Sequence, residues 1–523
     1  MAETVSAGLR PAGPPGGPPD VGTRDDWRAA LMVVLGLTLV RLVAIFTTPL
    51  DLYPDEAQYW LWSRTVDAGY FSKPPMIAWA IAATTALGGS EEGWVRLSAP
   101  LFQAAATLSV FAIGRRLYDG RTALAAAALY ALMPAIQLSA VVAATDAPLL
   151  CFLGLTILAY VRLVDGGGVR TAAALGAALG LAFLSKYAAV YFLVGLGLHL
   201  ALSRDARSAW SPAKAVAALA ALAVVIAPNV AWNATHGFAT VQHTAANAAW
   251  VGQGLFNPTE LAEFVGNQFA VFGPIPFAVL IVGSILEWRR RKLSREDLLL
   301  LCFTLPPILI VSAQAFVSRA NANWSGAGYL TGAILAAAWL IRWRARGWLL
   351  GALGVQALAA AVFLVCVVQP RAAETLGVAN AFKRAKGWDQ TTQAIVARAR
   401  AEPGLTAVAV NNRFLYYAIA YYGRNWLATA AAPPLTTWLL AETPQNQAET
   451  SAPLTPVDGD RVLAVAYEGW RRSEMAADFR SVSGREIVSI RLDWERRRRI
   501  EMFVGESFRP RPRDPVSGLP TPP

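Results

Sequence analysis

The sequence predicts a polytopic α-helical membrane protein carrying a small α/β domain at its C-terminal end. Of its 523 residues, 55% are hydrophobic and only 15% are charged, against about 25% charged in a typical water-soluble domain. The apolar residues gather in runs close to the roughly 20 residues that a helix needs to cross the hydrocarbon core. Beyond about residue 370 those runs stop, and short segments of mixed polarity replace them.

The elements follow in order. Residues 1–28 hold Pro11, Pro14, Pro15, Pro18 and Pro19 among glycines and read as a disordered cytoplasmic segment. No basic stretch with a short apolar core and small-residue cleavage site precedes the first apolar run, so that run is expected to be the insertion signal itself. Candidate spans fall at 29–47, 94–113, 122–142, 146–164, 171–185, 187–203, 213–231, 260–286, 297–317, 324–341 and 347–369, about 11 in all. Together they make a transmembrane unit over 29–369. Segment 75–88, after Lys73-Pro74-Pro75, is too short to span comfortably and reads as an interfacial or re-entrant helix.

Residues 370–508 read as an extracytoplasmic α/β domain. Its strand-like runs are Leu405–Val410, Arg461–Ala466, Glu486–Leu492 and Arg499–Val504, and its helix-like stretches are 390–401 and 413–422. A Pro-rich tail, 509–523, closes the chain.

The formal charge of +11 is consistent with nucleic acid or membrane, and position decides between them. Arg115, Arg116 and Arg121; Arg170; Arg204 and Arg207; Arg289 to Lys292 with Arg295; and Arg342, Arg344 and Arg346 all fall in alternate loops. That is the cytoplasmic pattern of a membrane protein whose N-terminus is inside. No zinc pattern or RNA-binding signature accompanies the charge, which argues against nucleic acid. Cys151, Cys302 and Cys366 lie in apolar runs without CxxC spacing, as expected for neither a disulfide framework nor a thiolate metal site.

This topology gathers the costly residues on the outer side. The first outer loop carries Asp55, Glu56 and Tyr59, then Tyr70-Phe71-Ser72-Lys73-Pro74-Pro75. Asp146 opens the fourth span, Lys186 interrupts an apolar hairpin, and Arg319 lies between the ninth and tenth spans near Asn321 and Asn323. Singly, each has a structural reading: Asp146 as a helix cap, Lys73 as a snorkelling interface residue, Arg319 as an anchor. Together on one face they suit a phosphate ester and a proton acceptor, with cations neutralising the phosphate and a carboxylate taking a hydroxyl proton. His236 and His243 lie in the outer stretch 232–258 and are candidates for contact with a substrate or metal.

The ordered set Asp55-Glu56-Ala57, Tyr70 to Pro75, Thr145-Asp146-Ala147-Pro148 and Leu184-Ser185-Lys186-Tyr187 resembles the bacterial glycosyltransferases of families 39 and 83. These are the relatives of protein O-mannosyltransferases and of the lipid A aminoarabinose transferase. The resemblance covers about residues 29–345. It implies the GT-C fold, a polyprenyl-phosphate sugar donor, a lipid or cell-envelope glycan acceptor, and a bacterial inner membrane with the site facing the periplasm. It also implies that Asp55 and Asp146 are the catalytic carboxylates and that Lys73, Lys186 and, by its loop, Arg319 bind substrate; Glu56, Tyr59 and Tyr70 of the first outer loop are expected to bind it beside them, the aromatic rings by stacking on a sugar. Where the aminoarabinose transferases commonly carry a metal-holding Glu before the lysine, this chain has Ser72, so no metal or other cofactor is assigned. Within the fold the alternative is a protein O-mannosyltransferase. From another class it is a transporter or lipid flippase, although no inverted halves are evident in the spans.

Overall fold

The computed structural model describes residues 22–246, 256–290, 293–467, 471–514 and 519–521. Most of the segment expected to be disordered lies outside that set. Residues 22–28 do not follow the expectation: they begin the first long helix, Gly22–Thr47. Asp25 in its first turn suits the positive end of the helix dipole.

Among the described residues, seven helices are long and apolar enough to cross a membrane, and eight if one bent pair counts as a single span. They are Arg24–Thr47, Glu92–Leu117, Asp146–Val164, Pro212–Thr235, Arg295–Val317, Ala322–Arg342 and Arg346–Val368. The bent pair is the segment 260–286. Expected to be one span, it is two helices, Pro258–Val271 and Pro274–Arg289, set at 116° to each other. The cause is local: Gly273 adopts φ 103° and Pro274 has no N–H to continue the ladder. The Phe272 carbonyl left over at the bend accepts from Gln356 Nε2 at 2.7 Å.

The apolar segments 171–185 and 187–203 form short helices on either side of Lys186, and 75–88 is the short helix Met76–Gly88. Segment 122–142 is interrupted at Met133–Pro134, where Pro134 likewise has no N–H to continue the ladder. The Ala131 carbonyl freed there is taken by Gln137 Nε2 at 2.6 Å and by the buried Arg41 guanidinium at 2.5 Å. This is how an arginine comes to be enclosed within the first helix.

The bundle packs around Tyr329–Arg342, in which every residue from Tyr329 to Leu340 is buried. Gly332, Ala333, Ala336, Ala337 and Ala338 let neighbouring helices approach closely, as small residues do where lipid supplies no hydrophobic drive. The peripheral helix Pro212–Thr235 instead turns Val216, Leu219 and Val224 outward, a surface that only lipid would cover without cost.

Charge is held at the two ends of the bundle. At one end Asp297 takes both guanidinium nitrogens of Arg342, at 2.5 and 2.9 Å, and the Tyr118 hydroxyl. Arg116 pairs there with Asp165. At the other end Glu56 and Arg96 form an ion pair of 2.9 Å with both side chains sealed from solvent. Glu56 also accepts the N–H groups of Tyr53 and Ala143, and Arg96 donates to the carbonyls of Leu50 and Asp51.

The C-terminal domain is a five-stranded sheet of order β2-β1-β3-β5-β4. The strands are β1 (Ala407–Val410), β2 (Leu435–Thr437), β3 (Arg461–Tyr467), β4 (Phe479–Arg491) and β5 (Arg497–Phe508). β1 pairs in parallel with β2 and β3, while β5 runs antiparallel to β3 and β4. Helices Trp388–Ala401 and Arg413–Tyr422 cover one face through Ile395, Val396, Leu415 and Ile419. The start of the expected tail folds back, with Arg511 and Arg513 bonded to the buried Asp478.

This domain sits on the Glu56–Arg96 end. The Leu52 N–H donates to the Tyr422 hydroxyl at 2.7 Å, which donates in turn to Glu92 at 2.9 Å. Tyr421 bonds the Ser90 carbonyl, the Phe71 N–H donates to Gln447, and Asp51 accepts the N–H of Trp388 at the head of its helix.

Removing one partner of a sealed ion pair strands the other charge, at a cost of about 3–5 kcal/mol. Arg96→Ala is therefore expected to lower the thermal unfolding midpoint of the detergent-purified protein sharply. Arg116→Ala, at a solvent-exposed pair, should leave it within a degree or two.

Candidate active site

The site begins with how the helix Pro54–Trp62 starts. Tyr53 is its N-cap, Pro54 takes the first helical position, and Asp55 and Glu56 occupy the first turn. Consecutive side chains on a helix diverge by about 100°. Glu56 turns inward and closes a capping box by accepting the Tyr53 N–H at 2.9 Å. With Arg96 and Ala143 taking its remaining acceptor capacity, Glu56 has no face left for a substrate. The expectation that it binds substrate is replaced by a structural one. Asp55 turns outward with its side chain 50% exposed.

The loop that follows is braced by Tyr70. Its hydroxyl accepts the Asp67 N–H and reaches the carbonyls of Trp62 and Thr65, and its ring stacks on Trp62 at 4.7 Å. Tyr70 thus braces the loop through both its hydroxyl and its ring. The Tyr70 N–H bonds the Lys73 carbonyl, and Pro74 and Pro75 lead into the helix Met76–Gly88. Lys73 is held in a confined setting. Burial first, and then the charge of Lys186, lower its pKa from the usual 10.5, with Asp55 and Asp146 pulling the other way. Arg413 adds a further lowering influence. Lys73 therefore lies within electrostatic reach of all four other charges of the site.

Lys186 is the extended residue, φ −164°, that separates Val169–Ser185 from the following turn. Its Nζ lies 2.9 Å from Asp146 Oδ1, while Asn323 Nδ2 donates to Asp146 Oδ2 at 3.3 Å. The Asp146 side chain thus engages these groups; no side-chain cap bond forms at the start of its helix. Tyr59 is buried beneath Asp55, and burial raises its pKa well above 10.0, with Asp55, Arg413 and Asp146 all acting on it. His243 packs edge-on to Phe71, and burial together with Lys73 and Arg413 lowers its pKa below 6.5. His236 instead stacks on Trp232.

The site contains one residue that the sequence reading missed. Arg413, the first residue of a helix in the C-terminal domain, places Nη1 3.1 Å from Asp55 Oδ1 and 2.6 Å from Gln58 Oε1. A cation at a helix N-terminus opposes the dipole, and that misplacement was the one available signal. Arg319 is not drawn in: among the described residues its only recorded bond is through its carbonyl, to Gln314.

Beside the charges runs a largely apolar cavity of about 570 Å³. Met133 and Pro134 at one helix interruption, Val271 near the 116° bend, and Asn321 and Asn323 at the start of the short turn Ala322–Gly328 all line it, with Asp146 in its wall. The helix breaks are what open it.

Three comparisons bear on this arrangement. Residues 72–232 match the family model of dolichyl-phosphate-mannose-protein mannosyltransferases. The chain is 39% identical over 315 residues to the lipid A galacturonosyltransferase RgtD of Rhizobium johnstonii, a match spanning 60% of this chain and 66% of that relative. The structure of ArnT from Cupriavidus metallidurans bound to undecaprenyl phosphate superimposes with a TM-score of 0.64 at 16% identity, covering 96% of this chain and 100% of that one. Its apo form gives a TM-score of 0.62 over 92% and 98%. Helical bundle, docked sheet domain and matched sequence agree: the chain has the fold of ArnT and is similar in sequence to membrane glycosyltransferases.

Proposed function

We propose that the protein transfers a sugar from a polyprenyl-phosphate carrier to a lipid A or related cell-envelope acceptor on the periplasmic face of a bacterial inner membrane. One observation carries the reading. An apolar cavity of about 570 Å³ has Asp146 and Asn323 in its wall, and Asp146 is bonded to Lys186. A prenyl tail in that cavity would bring its phosphate among Lys186, Lys73 and the carboxylates. The arginine-rich end, with Arg116 on Asp165 and Arg342 on Asp297, is the opposite one, which suits a cytoplasmic placement.

In the proposed reaction Asp55 accepts the proton of an acceptor hydroxyl as its oxygen bonds the sugar's anomeric carbon. The bond from that carbon to the phosphate oxygen breaks, and its electron pair stays on the phosphate. Lys73 and Lys186 stabilise that charge as it grows. Asp146 holds Lys186 in place.

Ser72 offers a hydroxyl, and among the described residues no three His, Cys, Asp or Glu side chains gather as a metal cage requires, so no step is assigned to a metal. The similarity to RgtD, a lipid A galacturonosyltransferase, makes a galacturonosyl donor and lipid A the first pair to assay. The similarity of residues 72–232 to dolichyl-phosphate-mannose-protein mannosyltransferases makes protein O-mannosylation the second reading.

Radiolabelled donor chased into lipid, glycan and protein fractions separates the readings; label in protein alone would overturn the envelope acceptor. Asp55→Asn should fold and lose at least about 10²-fold in transfer rate. Gly326 lines the cavity and has open space around the position of a Cβ. Gly326→Leu should therefore fold normally and raise the donor KM, whereas an unchanged KM would place the carrier elsewhere.

Lys73 is charged below its lowered pKa and neutral above it, so activity should fall on the alkaline side at a pH below 10.5. Lys73→Arg, if it retains activity, should abolish that limb, because a guanidinium stays charged throughout.

A further inference from the structure

We infer that Arg413 is a positioning residue for the transfer, so that the C-terminal domain completes the active site rather than merely covering it. The inference rests on the reading of Asp55 as the base. Arg413 engages only one oxygen of Asp55, Oδ1, at 3.1 Å. The same Nη1 donates to Gln58 Oε1 at 2.6 Å, one helical turn along from Asp55. Asp55 Oδ2 makes no hydrogen bond among the described residues, and the side chain is half exposed. The carboxylate is therefore held in orientation by one oxygen and presented by the other, as a base needs.

The arginine is itself held rigidly. Its guanidinium lies 4.6 Å from the centre of the Phe414 ring, and Asn412 caps the helix by accepting the Phe414 N–H at 2.8 Å. The far end of that helix is fastened to the membrane unit through Tyr421 to the Ser90 carbonyl and Tyr422 to Leu52 and Glu92. Beyond its last turn Arg424 lies 3.7 Å from Glu91. The docking of the whole domain thus sets where Arg413 meets Asp55.

This geometry also separates positioning from donor binding. The Nη1 that faces Asp55 is committed to two protein oxygens. Lys186 is bonded instead to the Asp146 that lines the apolar cavity. Loss of Arg413 should therefore lower kcat and leave the donor KM alone, because a carboxylate displaced by about 1 Å can cost about 10²-fold in rate.

The test uses the full-length purified protein, with the donor that the wild type turns over in the fraction assay. Arg413→Ala is expected to lose about 10²-fold in kcat, with a donor KM within two-fold of wild type and an unchanged thermal midpoint. Arg413→Lys should recover part of the rate. In an Asp55→Asn background, Arg413→Ala should not lower the residual rate further, since the group it positions is already gone.

Three results would overturn the inference: wild-type kcat in Arg413→Ala, a loss expressed mainly in donor KM, or a loss that adds in full to that of Asp55→Asn. An Asp55→Asn protein with near wild-type kcat would instead sink the reading of Asp55. Were Arg413→Ala to lower the thermal midpoint, partial recovery of kcat by Arg413→Lys at equal folded fraction decides between positioning and simple loss of fold.

Discussion

A carboxylate and a guanidinium shut away from water organise the site end of this molecule. Glu56 binds Arg96 and the N–H groups of Tyr53 and Ala143, and Arg96 binds the carbonyls of Leu50 and Asp51. Four stretches of chain meet at that pair: the exit of the first helix, the start of the helix bearing Asp55, the helix bearing Arg96, and the turn just before Asp146. Two ions buried together gain little net stability over apolar residues of the same shape, because desolvation offsets their attraction. What they supply is register. Asp55 and Asp146, 91 positions apart in the chain, face one region because Glu56 ties their two approaches together.

The irregular backbone has a similar logic. In lipid every N–H and C=O needs a partner, so a helix breaks only where another group takes the orphaned atom. Gln356 does so at Phe272, and Arg41 and Gln137 do so at Ala131. Lys186 lies in a third break and takes Asp146 as its partner. The polar residues that look misplaced in apolar helices therefore fall into two groups: those that repair a break and those that use the space it opens.

Much of this was legible in the sequence. Asp55, Lys73, Asp146 and Lys186 stood out because each is ionisable beside an apolar run, and the topology put them on one side; the structure places them within reach of one another. Glu56 was misjudged because hydropathy does not say which of two adjacent acids on a short helix turns inward. Tyr70 was expected to bind substrate, and its hydroxyl is bonded within its own loop. The bend at Gly273-Pro274 sat inside a continuous apolar run, where composition carries no record of backbone direction. Arg413 was hidden for the opposite reason. In an arginine-rich domain facing water, one more arginine carries no cost that asks for explanation, and only the docking of that domain shows what it meets.

The cavity opened by the helix interruptions has a consequence for how turnover should be measured. A carrier whose tail lies there, and whose phosphate alone reaches the charged rim, approaches and departs without leaving the leaflet. Encounter then happens in two dimensions. The quantity that sets the rate is the mole fraction of carrier among neighbouring lipids, so diluting the bilayer with inert phospholipid should slow the protein while adding buffer should not.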